Sequence, residues 1–533
     1  MAQLSSYGLW WWEVIMSSNK DEFTLAILVT VALVMLAILW YKFTHPSTSS
    51  PLPPGPRSLP IVGYLPFLGP DLHKQFTNMA RTYGPIFKLH LGSKIHVVIN
   101  TVELTKAVVR DQDETFANRN LTVAASVISY GGQDIVWAMN NPKWRNLRKI
   151  FVHEALSNKN LEACSSFRRD EVRKTVKDVF SKIGTAIDIN KTSFLTEVNV
   201  LTGMIWGNTS GKEEKDRQLG LEFQTVAWNI VEIFGRPNFS DFFPVLAWFD
   251  LQRVERDMKK QLEKMDQIFE SMIEDRIKSN AEKSCVGAGD DEGKKDFLQI
   301  LLDLRKQEDG TSLNITIIKA VLLDMMIAGA ETTATIIEWT MAEIMKNHHV
   351  MKMIQEELAK VVGLNTIVEE SHLPKLKYLD ATIKETFRLH PVVPFLIPRS
   401  PSQACIVGGY TIPKGCTIFL NVWSIQRDPR YWDNPLEFHP ERFLGYDGTQ
   451  KCDYKGNNLK FFPFGTGRRL CAGLPLAEKM MMFILASLLH SFNWSLPSGE
   501  EHELSEKVGI TLKKVKPLIA IPSQRLTNVS LYM

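Results

Sequence analysis

Phe461 to Gly473 reads FFPFGTGRRLCAG and sets one cysteine, Cys471, between two arginines and a glycine, with a long apolar run directly behind it. A glycine-rich turn at a helix start exposes backbone N–H groups that can hold a thiolate's charge. A thiolate is a strong donor to iron, and on haem iron it pushes electron density toward oxygen and favours O–O cleavage. A buried structural cysteine ahead of a helix would use similar residues, so the argument rests on the whole spacing Phe464, Gly467, Arg469, Cys471, Gly473. A second unusual stretch is Ala328-Gly329-Ala330-Glu331-Thr332-Thr333, placed midway along an apolar segment. Glycine inside a helix costs about 1 kcal/mol relative to alanine, so a local reason is required. The Thr332 hydroxyl can bond the Ala328 carbonyl one turn back, which would loosen the helix at Gly329 and open a groove. A Ser/Thr packing patch is the plainer alternative.

These residues need elements to position them. Asn314 is expected to cap a helix over 315–347, ~50 Å long and apolar on most faces, which must cross the middle of the domain. A further helix ends at His390 before Pro391 and places Glu385 and Arg388 on one face. Surface pairs at that spacing contribute little, but the flanking Leu376, Leu379, Phe387 and Leu389 argue for burial, and a buried pair needs further partners. Arg442 in FHPERF is the candidate. Trp144 and Arg148 are four apart and share a face, where a solvated basic face is the commoner meaning. Phe87 to Ile99 alternates as two strands turning at Gly92-Ser93, and Cys405 to Asn421 carries two more strand patterns. Glu222 to Gln252 is aromatic and broken by proline, and is expected to be a loop between helices with an apolar surface. Ser279 to Lys295 is expected to be an exposed connector.

The Cys471 loop resembles the haem-binding loop of the cytochromes P-450, and the Ala328 to Thr333 segment resembles the oxygen-binding segment of the same family. Glu385, Arg388 and Arg442 resemble its structural Glu-Arg-Arg network. The resemblance covers roughly Pro53 to Leu518. It implies a mainly α fold with a smaller β-sheet region and haem b between the two segments. Cys471 is then the metal ligand, Thr332 and Glu331 deliver protons, and Phe464, Gly467, Arg469 and Gly473 form the haem loop. Beside a haem, the Trp144 indole N–H and the Arg148 and Arg399 guanidinium groups can bind propionates. Val127, Ile128, Met325, Ala328, Phe395, Leu396 and Ile510 are the candidate substrate pocket, and their apolar character favours a hydrocarbon-like ligand.

Composition sets the outer limits. The 533 residues are 44% hydrophobic and 23% charged, enough for a sizeable core. A net charge of +3 gives no argument for nucleic acid. The cysteines are scattered without C-x-x-C, as in a reducing compartment. His153-Glu154 lacks the second histidine of a zinc motif.

Residues 23–43 are nearly uninterrupted apolar sequence, of which about 19 residues would span ~30 Å as a helix and cross a bilayer. The run is too long for a signal peptide and has no basic region before it. Residues 1–22 are then a short non-cytosolic tail, 44–56 a proline-rich hinge and 57–533 a catalytic domain facing the cytosol. The expected location is the endoplasmic reticulum membrane, with a single pass. The resemblance is to plant microsomal members, and within them to hydroxylases of cadinene-type sesquiterpenes, on PRSLPIVGY and MIWG. It implies a monooxygenase taking NADPH electrons through a partner reductase, with O2 and an apolar small molecule as substrates. Lys143, Arg145, Lys149 and Arg468 could face that reductase, or simply water. Hydroxylation of a phenylpropanoid or flavonoid, a haem-thiolate dehydratase or isomerase acting on an aldoxime, and a haem sensor without turnover remain open.

Overall fold

The computed structural model describes residues 27–36, 51–207, 213–285, 296–307, 313–444, 452–500 and 502–533. Helix α1 (Ile27–Leu36) is apolar and exposed along its length. It covers the middle of the expected anchor; residues 1–22, the ends of the anchor and 44–50 of the hinge lie outside the described residues.

Strands β1 (Ile86–Leu91) and β2 (Lys94–Ile99) form an antiparallel hairpin about Gly92, pairing Phe87 with Val98 and Leu89 with His96. Helix α2 (Pro142–Ile150) starts at Asn141, whose side chain accepts from the Trp144 N–H, with Pro142 pre-set for the first helical position. Two further helices, α3 (Ser165–Ser181) and α4 (Ile189–Trp206), lie side by side, joined by a 2.7 Å bond between the Thr175 and Thr196 hydroxyls. Asp188 caps α4, and Gly207 ends it at φ 72°, where a side chain would be strained.

The long helix α5 (Ile315–Lys346) is capped by Asn314, whose Oδ1 accepts from the Ile317 N–H at 2.8 Å. It is buried along nearly all its length and packs most extensively on α4. The two run antiparallel: Asn190 Nδ2 meets Glu338 Oε2 at 3.0 Å near one end, and Leu201 meets Gly329 further along. Helix α6 (Lys377–Leu389) stops before Pro391 as its sequence requires. Strand β3 (Thr417–Leu420) adds to β2 in parallel, pairing Val97 with Ile418. Helix α7 (Leu474–Ser491) begins directly behind Cys471 with proline in its first turn. Both α5 and α7 are long and apolar enough to cross a membrane, but most of each is buried in protein, which makes them core helices.

Among the described residues, a second three-stranded sheet and two small hairpins complete the β part. Two expectations need correction. Glu222 to Phe234 is not loop: it belongs to a helix over Glu213–Phe234, whose buried face carries Phe223, Val226, Ala227 and Ile230. Only Gly235 to Gln252 is broken, and there Val245, Trp248 and Phe249 are exposed. The connector also starts later, since a helix runs over Val254–Cys285, and residues 286–295 lie outside the described residues.

Candidate active site

The Cys471 loop is a tight single turn over Gly467–Arg469, closed by a 2.9 Å bond from the Cys471 N–H to the Phe464 carbonyl. Gly465 and Gly467 adopt φ of 73° and 68°. At Gly467 a Cβ would come 2.7 Å from Asp113 Oδ1, because Asp113 reaches in to accept the Arg468 N–H at 2.8 Å. The motif's glycine thus makes room for a carboxylate that holds the loop. The Cys471 thiol is accessible and yet surrounded by protein, because it faces an internal cavity of about 280 Å³. Burial pushes that thiol up, while the N–H groups of Gly473 and Leu474 and the Arg148 charge pull the other way.

The opposite wall is α5, which lines the cavity with Met325, Ala328, Gly329, Thr332 and Thr333. Thr332 Oγ1 donates to the Ala328 carbonyl at 2.6 Å, as the sequence predicts. The reason for Gly329 is different from the expected one. A Cβ there would lie 3.0 Å from Leu201 Cδ1, so glycine lets α4 approach α5 closely. Glu331 is not part of the wall: it is buried on another face of α5 and ion-paired with Lys513.

Four arginines, Arg119, Arg148, Arg399 and Arg469, reach the cavity. Arg469 donates to the carbonyls of Ala117 at 2.7 Å, Ile135 at 3.3 Å and Ala138, and lies 3.9 Å over the Trp144 ring. Arg119 uses the carbonyls of Val136, Ile397 and Pro398, and Arg148 that of Leu470. Arg399 alone has a carboxylate, Asp113 at 2.8 Å, besides the Thr466 carbonyl at 2.6 Å. Burial first, then the other guanidinium charges, lower Arg469 to about 9 and Arg119 well below the usual arginine range. Among the described residues this cluster holds more positive charge than its neighbours neutralise, and an anionic group would relieve it. Haem fits on both counts: a thiol faces the cavity, and a set of cations awaits propionates.

Trp144 does not join that set directly. Its Nε1 donates to the Ile135 carbonyl at 2.9 Å, so the ring supports Arg469 and its N–H is already used. Phe464 and Gly473 line the cavity, whereas Gly467 stands behind it. Of the candidate pocket, Met325, Ala328 and Leu396 are in the wall and Val127, Ile128, Phe395 and Ile510 are not. Ile128 packs into the main core, with Val127 against it. Phe395 closes an aromatic cluster with Phe76 and Phe419, its neighbour Leu396 taking the inward position through a left-handed φ of 54°. Ile510 lies at the turn of the hairpin between Glu506–Val508 and Leu512–Lys514, while Val392, bonded through its carbonyl to the Leu512 N–H at 2.8 Å, lines the cavity.

The brace behind the loop is complete. Arg388 holds Glu385 at 2.7 and 2.8 Å, and both side chains are fully buried. Its remaining donors go to the carbonyls of Gln426, Pro435 and Glu437. The His439 N–H and Arg442 Nε reach Glu385 at 2.9 and 3.3 Å.

Sequence reasoning missed Arg119, Asp113 and Asp324. Asp324 lies four and eight residues before Ala328 and Thr332, so helical spacing alone would have put it on the same face. Its Oδ2 accepts the Ile135 N–H at 2.8 Å, and nearby Asp134 Oδ1 accepts those of Trp137 and Ala138, both at 2.9 Å. Burial and the Asp134 charge push Asp324 well above the ordinary range, and burial raises Asp134 to about 6. Together the two carboxyl groups pin the loop that carries the Arg469 acceptors.

A helical fold that closes an apolar cavity over one inward thiol and a ring of arginines defines a haem-thiolate protein. The chain matches the family model "Cytochrome P450" over residues 53–521 and belongs to that family. It is therefore an oxidoreductase of the monooxygenase type, a haem protein that takes electrons through a redox partner. It is 37% identical over 485 residues to cytochrome P450 76C1 of Arabidopsis thaliana, covering 90% of this chain and 93% of that one. A flavonoid 3',5'-hydroxylase of Solanum melongena is 37% identical, with 89% and 91% covered. A geraniol 8-hydroxylase of Catharanthus roseus is 35% identical, with 93% and 99% covered. Among solved structures, a zebrafish cytochrome P450 with progesterone superposes with a TM-score of 0.72 at 24% identity, over 86% of this chain and 100% of that one.

Proposed function

We propose that this chain is a membrane-anchored plant monooxygenase that hydroxylates a terpenoid, with cadinene-type sesquiterpenes the first candidates. The observation that carries the substrate class is the wall facing Cys471. Met325, Ala328, Val392, Val393, Leu396 and Ile397 offer aliphatic contact, and Asp324 is already engaged by the Ile135 amide. Apart from Thr332, Thr333 and Glu197 along the α4–α5 seam, such a wall binds by apolar contact and shape and has few groups to meet a phenol. The geraniol 8-hydroxylase relative supports this reading. A flavonoid substrate is the second reading, supported by the flavonoid hydroxylase relatives.

Haem b, when bound, would supply O2 activation and transfer of one oxygen atom. Cys471 would be its thiolate ligand, with Phe464 and Gly473 beside the sulfur. Arg119, Arg148, Arg399 and Arg469 would hold the propionates, a geometry suited to charge-assisted bonds. Thr332 would pass protons from the cavity side of α5. Glu331, paired with Lys513 on another face of α5, would take part only by leaving that pair. Residues 23–43 would anchor the chain in the endoplasmic reticulum membrane, with 44–56 as hinge and the body in the cytosol. The exposed Val245, Trp248 and Phe249 form a second lipid contact.

Terpenes, flavonoids and aldoximes, added in turn to the haem-loaded protein, separate the readings by substrate-induced change in the haem spectrum. A change with sesquiterpenes, followed by NADPH-dependent hydroxylated product with a reductase, is the expected result. Turnover of an aldoxime without NADPH would replace the hydroxylase reading by the dehydratase one. Deletion of residues 1–43 is expected to move at least part of the protein to the soluble fraction, and full retention would put the anchoring elsewhere.

A further inference from the structure

At the α3–α4–α5 side of the cavity, three buried polar groups lack hydrogen-bond partners among the described residues. They are Glu197 Oε2 on α4, Thr333 Oγ1 on α5 and Arg168 Nη1 on α3. Buried groups of this kind are nearly always satisfied by protein or by ordered water. Thr333 is unlike its neighbours, because Thr332, Thr335 and Thr340 all donate to the carbonyl four residues back. Its hydroxyl is free to bond across the helix interface.

The helix register brings these groups together. Leu201 meets Gly329, and Asn190 meets Glu338, on antiparallel α4 and α5. One turn from the first contact puts Glu197 opposite Thr333, and both line the cavity. Arg168 acts on Glu197 through its charge from the α3 side. Its other donors hold Glu370 at 2.6 and 2.9 Å, and the Glu370 side chain is 20% exposed. A path of polar groups therefore leads from Glu370 at the surface to Thr333, beside Thr332. It is separate from Glu331, which Lys513 holds on another face.

We propose that Arg168, Glu197 and Thr333 hold a short chain of buried water that carries protons from the Glu370 surface to the cavity side of α5, with Glu197 as its proton-bearing station. Burial supports that role by raising Glu197 to about 8 against the opposing Arg168 charge, so the side chain carries a proton at neutral pH. Each passage moves one proton: the Glu197 carboxyl gives its proton to the water on the Thr333 side, and the carboxylate regains one from water on the Glu370 side. No electron moves and no other bond changes. The existence of the water chain is independent of the role given to Thr332; its use in turnover rests on that role. Glu197 is accordingly a positioning and relay residue.

The test uses the full-length haem-loaded protein and the variants Glu197→Gln, Thr333→Val and Thr332→Ala. A high-resolution crystal structure is expected to show ordered water bonded to Glu197 and Thr333, lost in Thr333→Val; a dry site would overturn the proposal. Infrared H/D difference spectra are expected to show a protonated carboxyl band that disappears in Glu197→Gln, and a band unaffected by that change would overturn the station role. With a reductase and a substrate that gives product, Glu197→Gln should raise the peroxide formed per NADPH roughly tenfold, less than the loss of a group that transfers the proton directly to a reacting atom, with an unchanged reduced carbon monoxide spectrum. If Thr332→Ala uncouples and Glu197→Gln does not, the relay proposal fails while the Thr332 reading stands. If neither uncouples, both fail.

Discussion

Two sets of buried or half-buried arginines lie within this fold and differ in how fully they are matched. Arg388 uses all five of its N–H donors, two on Glu385 and three on carbonyls, and Arg442 adds a second cation to the same carboxylate. Arg119, Arg148, Arg399 and Arg469 have mostly carbonyls, only Arg399 among them bonds a carboxylate, Asp113, and they repel one another. A saturated charge belongs to the architecture. A cluster short of anions marks where a ligand's anions go, and the cavity beside it shows which side the ligand occupies.

The largest consequence falls on the saturated set. Arg388→Ala leaves Glu385 buried with only Arg442 near it, and should cost about 3–5 kcal/mol. Folded yield and the denaturant midpoint should collapse with or without haem; a stable apoprotein would remove Arg388 from the brace. In the unsaturated set the effects should separate. Arg148→Met loses one carbonyl bond but relieves repulsion on Arg119 and Arg469, so net apoprotein stability should change by less than about 1 kcal/mol, while haem dissociation should quicken roughly tenfold or more for the lost charge-assisted bond. Haem transfer to an acceptor protein measures it, and equal losses in the two quantities would erase the distinction. Arg442→Ala should be milder than Arg388→Ala, about 1 kcal/mol, because its bond to Glu385 is longer and its side chain partly exposed.

A third network gives the smallest effect, and its sign follows from the groups around Glu506. Burial opposes ionisation there, but His390, His73 and Arg427 outweigh it and hold the carboxyl well below the usual range. Its stabilising share is full above the ordinary glutamate value of about 4.3 and fades as pH falls toward the depressed one. The melting temperature of Glu506→Gln should therefore fall less steeply with acid than that of the unmodified protein. Parallel curves would show that Glu506 is not linked to stability in this way.

Much of the site was legible because it is local. The Phe464 to Gly473 spacing, the Thr332 bond to Ala328, the Asn314 cap and the Glu385–Arg388–Arg442 brace all follow from short-range pattern or from one inferred long-range partner. What sequence could not supply was direction. Phe395 and Leu396 are adjacent and both apolar, and only the left-handed turn at Leu396 decides which one faces the cavity. Glu331 and Thr332 are likewise neighbours on a helix, roughly a hundred degrees apart around it, so Thr332 lines the wall while Glu331 meets Lys513. Gly329 was rightly singled out, but its partner Leu201 sits more than a hundred residues away and leaves no local mark.

The central claim is that one thiol, Cys471, is what the cavity and its arginines are built around. The reduced carbon monoxide spectrum of Cys471→Ala, taken on protein that still binds haem, tests it most directly. The thiolate-type band should be absent, replaced by that of a weaker ligand or none. A retained thiolate band would mean that another residue binds the iron and that Cys471 is only a buried cysteine ahead of a helix.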